Sequence, residues 1–190
     1  MEKITLGYAM TGSFCTLDKS IVEMTRLAAD GYDILPVMSE NVYTVSTRFG
    51  KARDIVTKVE SIAGKSVIHT VSGSEPIGPK RMCDALIVAP CTGNTLSKIA
   101  LGITDTPVTM AVKSQLRIGA PVVLCLASND ALGASAENLG RLLNRKNIYF
   151  VPMRQDDPEN KPNSLVARFE LIPECVRTAL SGKQLQPIFQ

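Results

Sequence analysis

The strongest constraint in this chain is an alternation: short apolar runs rich in β-branched residues are separated by longer stretches with amphipathic, helical spacing. A strand covered on both faces has no polar side to show, so it reads as an unbroken apolar run. A parallel sheet sandwiched between helices produces such strands in series. The pattern predicts an α/β protein. The runs are Ile4–Met10, Tyr32–Met38, Val67–Val71, Ala85–Ala89, Pro121–Ala127 and Ile148–Val151. Ala85–Ala89 has no polar side chain, the mark of a central strand.

The intervening stretches read as helices. Asp18 caps one whose apolar face is Ile21, Val22, Met24, Leu27 and Ala28, stopped at Gly31. From Ser39 the chain is helical again, with Ile55, Val59 and Ile62 in spacing until Gly64 ends the run. Thr95–Leu101, Asp105–Arg117 and Ser135–Asn144 follow, Pro107 being tolerated in a first turn. Two prolines and two glycines make 72–79 a loop, and three prolines with five charges at 152–163 predict no regular element. A last helix is expected near Ser164–Leu180, with Leu165, Val166, Phe169, Ile172 and Val176 inward and Pro173 placed to kink it. At 190 residues the chain is expected to be one domain, 1–190.

Charge and cysteine usage narrow the function. The net charge is +3 with no block of like charges, which gives no electrostatic track for nucleic acid. No apolar run approaches the roughly 18 residues of a membrane span, and the N-terminus has neither a basic leader nor a small-residue cleavage site. A cytoplasmic protein is expected. Five widely spaced cysteines without a CxxC pair fit a reducing compartment and argue against disulfides and structural zinc. The single histidine, His69, excludes a metal site that needs several.

In open parallel sheets, ligands bind outside the carboxyl ends of the strands. Thr11, Gly12, Ser13 and Phe14 follow the first run and would offer amides to a phosphate, although neither the GK[ST] ending of a P-loop nor GxGxxG is present. Ser39, after the second, either caps the following helix or donates to a phosphate oxygen. Ala89–Thr95 is polar and turn-forming between an apolar run and a helix. There Pro90 forces the chain out of the ladder, Gly93 permits close approach, and Thr92, Asn94 and Thr95 offer donors and acceptors. Ser128, Asn129 and Asp130 repeat the pattern after the Pro121–Ala127 run. Four such loops on one edge make a candidate cofactor site.

Ala89-Pro90-Cys91-Thr92-Gly93-Asn94-Thr95, running on through Ile99-Ala100-Leu101-Gly102-Ile103-Thr104-Asp105, resembles the Pro-Ala-Ser-Ala-Asn-Thr signature and its continuation in the flavin-containing cysteine decarboxylase-like flavoproteins. Thr11-Gly12-Ser13 is similar to that family's first loop, Ser39 to its phosphate-binding hydroxyl, and Ala127-Ser128-Asn129 to its Ala-Met-Asn. The resemblance covers about Ile4 to Pro152. It implies a three-layer, flavodoxin-like (Rossmann-like) α/β/α fold and a symmetric homo-oligomer. It also implies flavin mononucleotide (FMN) bound by Gly12, Ser13, Phe14, Ser39, Pro90, Thr92, Asn94, Thr95, Ser128 and Asn129. Where the decarboxylases of the family carry a catalytic His-Ile-Glu-Leu-type segment, this chain reads Pro76-Ile77-Gly78-Pro79-Lys80-Arg81, and His69 lies seven residues too early.

A narrower resemblance is to one branch, the B subunits of dipicolinate synthases. It rests on Ala111-Val112-Lys113, Leu116-Arg117, Ser128–Gly133, Pro152–Pro158, Lys161-Pro162 and Ser164–Ala167. It covers 153–190 as a branch-specific loop and C-terminal helix. It implies an oxidoreductase subunit that assists oxidation of dihydrodipicolinate to dipicolinate in sporulation, next to an A subunit that carries NAD(P). The alternatives are a non-catalytic binding or assembly subunit and a flavin-dependent decarboxylase or prenyltransferase relative. Arg154 and Lys161, with Lys113, either orient the small dicarboxylate substrate or form a solvated charged surface. His69 reads as a structural or solvent-facing residue at a strand end, and Cys91 as small buried packing or a thiolate near a helix start.

Overall fold

Thr5–Met10 (β1), Asp33–Met38 (β2), Ala85–Cys91 (β3), Val122–Ser128 (β4) and Ile148–Phe150 (β5) pair in parallel, as their uninterrupted apolar character requires. The structure is a computed structural model that describes residues 3–190. All seven residues of β3 are buried. The sheet runs β2-β1-β3-β4, and the far edge of β4 is shared. Its first half pairs with β5, and its last two residues, Ala127 and Ser128, pair antiparallel with Leu165–Ala167 (β7). Met153–Arg154 (β6) completes the sheet beyond β7.

The helices are Leu17–Ala29 (α1), Glu40–Thr44 (α2), Ala52–Ala63 (α3), Val71–Ser74 (α4), Gly93–Leu101 (α5), Pro107–Arg117 (α6), Ala136–Leu143 (α7) and Ile172–Leu180 (α8). They pack on both faces, which makes the expected three-layer α/β fold around one core. Buried polar bonds tie the layers: Tyr8 donates to the Ser20 carbonyl at 2.8 Å, and Ser20 Oγ donates to the Ala89 carbonyl at 2.6 Å. β1, α1 and β3 are thereby joined at the level of the cleft. Among the described residues, no helix is long and apolar enough to cross a membrane.

Six local expectations are corrected. Val67–Val71 is not a strand. Ile68 alone bridges β2, donating to the Pro36 carbonyl and accepting from the Met38 amide, and then Thr70 Oγ1 accepts from Gly73 and starts α4. The helical stretch from Ser39 to Gly64 is two helices, broken where Thr47 and Gly50 exchange backbone bonds and Gly50 takes φ +149°. Ser164–Leu180 begins as β7, because Leu165 and Ala167 find a sheet edge to cover, so only its second half is helical. Pro173 sits in the first turn of α8, where a missing amide costs nothing, and does not kink it. The prolines at 152–163 likewise leave room for β6. Pro90 does not end β3 either: the β3–β4 register shifts between Val88 and Cys91, and this irregularity absorbs the missing donor.

Candidate functional site

The loops after β1, β2 and β3 meet at Thr11, whose side chain is buried. Its hydroxyl donates to the Pro90 carbonyl at 2.8 Å and accepts from the Thr92 amide at 3.0 Å, and its own amide donates to Pro90 as well. This join holds open a cleft of about 330 Å³ whose wall includes Gly12, Ser39, Asn41, Thr92, Asn94, Thr95, Lys98 and Thr106. Hydroxyls and amides dominate the wall. The cleft's one cation, Lys98, is bonded to both carboxylate oxygens of Asp105 at 2.8 and 2.9 Å, so it brings little free charge.

Ser39 does not serve as a helix cap. It occupies the N-cap position of α2 but makes no side-chain cap bond. Its Oγ is buried without any hydrogen-bond partner. Leaving a buried hydroxyl unmatched costs roughly 1–3 kcal/mol, so such an atom at a cleft wall asks for a ligand acceptor. Thr92 behaves oppositely: it caps α5 by accepting from the Thr95 amide at 3.2 Å and also bonds the Thr95 hydroxyl. The amides of Gly93 and Asn94, in the first turn of α5, have no intrahelical acceptor.

The other predicted residues are distributed unevenly. Ser13 is not among the residues that line the cleft, and its hydroxyl accepts from Thr16 at 3.0 Å. The Phe14 ring packs on the core behind Gly12, about 3.4 Å from where a Cβ on that glycine would stand. Pro90 is buried inside β3 and contributes only its carbonyl. Ser128 approaches the cleft loop from β4: a Cβ on Gly93 would lie 2.6 Å from its Oγ. Asn129 is exposed beside it.

Arg154 and Lys161 do not line this cleft. Arg154 borders a small cavity of about 100 Å³ with Lys19, Arg168, Asp156 and Glu170. Lys161 pairs with Asp156 at 3.5 Å. Cys91 is fully buried, and burial pushes its thiol up to about 12, so it is a packed thiol and no thiolate at neutral pH.

His69 is placed where the sequence pattern did not suggest. Following the Ile68 bridge, it stacks on Tyr43 with ring centres 3.9 Å apart and an interplanar angle of 57°. The pair borders a cavity of about 390 Å³ that shares Glu40 and Thr106 with the hydroxyl-lined cleft. Lys98 and Thr106 on the cleft wall, and the joining role of the Thr11 hydroxyl, are also not marked by the sequence pattern. The Thr-x-x-Thr of the α6 cap, where Thr106 and Thr109 bond reciprocally, is the one local signal that could have pointed to any of them.

The family model for Flavoprotein matches residues 1–171. The chain belongs to the flavoprotein family. It is 44% identical over 183 residues to the dipicolinate synthase B subunit of Bacillus subtilis, covering 96% of this chain and 92% of that one. The crystal structure of the dipicolinate synthase B subunit from Bacillus halodurans superposes with a TM-score of 0.91 at 41% identity, covering 100% of this chain and 98% of that chain. Burkholderia xenovorans DmrB in complex with FMN, described as a cubic protein cage for redox transfer, has a TM-score of 0.70 at 18% identity. It covers 94% of this chain and 96% of that one, and shares the fold.

Proposed function

We propose that this chain is the B-type subunit of a dipicolinate synthase, carrying FMN in the hydroxyl-lined cleft and assisting oxidation of dihydrodipicolinate to dipicolinate. The observation that carries the reading is the 44% identity to a B subunit over nearly the whole of both chains. The donor set of the cleft fits a phosphate-bearing cofactor. Ser39 Oγ would donate to a phosphate oxygen, as would the free amides of Gly93 and Asn94, while Thr92 and Thr95 hold the loop in shape. Close packing of Gly93 on Ser128 ties the loop after β3 to the end of β4. A flavin held there would supply two-electron acceptor chemistry.

Dihydrodipicolinate becomes aromatic by losing a hydride and a proton. The two electrons need one acceptor, which NAD(P) on a partner A subunit would supply directly or by way of the flavin, and His69, which lines the adjoining cavity, would be the group of this chain placed to take the proton. Arg154 lies on β6, at the opposite edge of the sheet from His69, so within one chain it would not meet the same substrate molecule. A sporulation role, a cytoplasmic location and a homo-oligomer are part of the same proposal. A second reading, an assembly subunit without chemistry, is favoured by the charge pattern, because Lys98 and Lys161 are each already matched by an aspartate.

Purified chain that is yellow, or that quenches flavin fluorescence on titration with FMN, supports the cofactor site. Ser39→Ala should weaken FMN binding by about 1 kcal/mol or more, and unchanged affinity would remove Ser39 from the site. Activity of the A subunit alone equal to that of the A–B pair would establish the assembly reading instead.

A further inference from the structure

At the other end of α5 from the cleft, roughly 13 Å along a nine-residue helix, lies a further concavity of about 360 Å³ between α5, α6 and the turn after α7. Its apolar lining is Ile99, Ile103, Val112 and Leu116. Around it stand Lys113, Arg117 and Arg145, and no carboxylate residue contributes to the lining. None of these three cations takes part in an ion pair among the described residues, although six pairs form elsewhere in the chain. Arg145 is steadied over the rim by one bond from Nη1 to the Ile99 carbonyl at 3.3 Å, which leaves its remaining N–H groups free.

Folding alone gives a partial account of this arrangement. Arg117 and Arg145 stand near the C-terminal carbonyls of α6 and α5, where positive charge is favoured. Lys113 has no such reason: it lies one turn before Arg117 on the same face, and like charges at that spacing repel. α5 and α6 contain no acidic residue to offset them. Meanwhile Ile103 remains 43% exposed beside the cavity. An anion with an apolar body would relieve both features at once, with its charge between the cations and its body on the aliphatic floor.

We propose that this groove is an anion-selective site for a small amphipathic molecule, a flat or branched apolar body bearing one or two carboxylate or phosphate groups. The volume is within the range of small-molecule sites. The site is separate from the flavin cleft and does not depend on the function proposed for it.

Isophthalate and phenyl phosphate are suitable probes, with benzylammonium as the charge-reversed control. They are titrated into the full chain with methyl-labelled Ile, Leu and Val followed by NMR. Saturable shifts at Ile99, Ile103, Val112 and Leu116 with the anions, and none with benzylammonium, are expected. The better of the two anions identifies the headgroup class. Lys113→Gln combined with Arg117→Gln should weaken binding at least tenfold while the remaining methyl spectrum is unchanged, and Ser39→Ala should leave it unaltered. Shifts confined to the cleft, no saturation with either anion, or equal response to benzylammonium would overturn the proposal. So would finding these methyls buried at a boundary between chains in the native assembly.

Discussion

Gly93 shows how a single missing side chain positions the candidate site. A Cβ there would stand 2.6 Å from Ser128 Oγ and 3.2 Å from Ser135 Oγ, closer than such atoms approach without displacement. Ser128 Oγ also accepts from the Asp130 amide at 3.2 Å, so rotating it away breaks a second bond. Gly93→Ala is therefore expected to destabilise the fold by about 1–3 kcal/mol and to weaken FMN binding. Adding Ser128→Ala should recover most of the stability, because it removes the nearest obstructing atom. Thermal melts of the single and double variants, with FMN titrations of each, check this. Ser39 teaches a complementary lesson. Its residue type and place after β2 were legible in the sequence, but whether it caps α2 depends on whether a backbone N–H of the first turn reaches the folded hydroxyl oxygen, and none does.

Among elements, those whose burial is complete were easiest to read. The β1, β2, β3 and β4 runs carry their own signature, because a strand covered on both faces needs apolar residues at every position. β7 does not. Leu165, Val166, Phe169, Ile172 and Val176 satisfy a helical spacing, and only the open edge at Ala127 and Ser128 makes the first of them extended. Likewise His69 reaches the cavity wall because Ile68 bridges β2 by two backbone bonds, a long-range event that no local pattern encodes. The cleft-lining role of Thr106 depends on the placement of α6, although its own capping spacing is local.

The segment 72–79, expected as a loop, is the end of α4 followed by a 3-10 turn at Glu75–Ile77, because its prolines and glycines are tolerated in such short turns, and it carries another hidden packing constraint. Gly78 donates to Ser114 Oγ at 2.8 Å, and Ser114 Oγ donates to the Glu75 carbonyl at 2.6 Å, welding the segment to α6. A Cβ on Gly78 would lie 1.9 Å from the Ser114 carbonyl oxygen, a backbone atom that cannot rotate aside. Gly78→Ala is expected to cost at least about 3 kcal/mol or to prevent folding. Ser114→Ala, which loses two hydrogen bonds but adds no bulk, should cost about 1–2 kcal/mol and still fold. Chemical denaturation distinguishes the two effects.

Over the whole molecule, the same carboxylate chemistry acts on stability with opposite signs. The hydrogen bond from Lys65 holds Asp33 below the ordinary carboxylate range, and the bond from Ser164 does the same for Asp156. Depressed values of this kind contribute stability above the unfolded carboxyl pKa of about 3.9, and that contribution is lost as the pH falls through the lower folded values. Glu23 runs the other way. Burial raises its pKa and Glu170 adds repulsion, while Arg26 remains 3.7 Å from Oε2 and leaves that oxygen unbonded. Its ionised form therefore subtracts stability at neutral pH, and the penalty disappears as the pH falls toward the unfolded value of about 4.3. Glu23→Gln should raise the melting temperature by a few degrees at pH 7 and by nothing at pH 4. Asp33→Asn and Asp156→Asn should each lower it at pH 7 and converge on the parent only as the pH falls below the unfolded carboxyl value of about 3.9. Melting temperatures measured from pH 2 to 8 would refute the assignment of Glu23 if its gain persisted at pH 4, because an effect independent of pH would come from packing rather than from the buried charge.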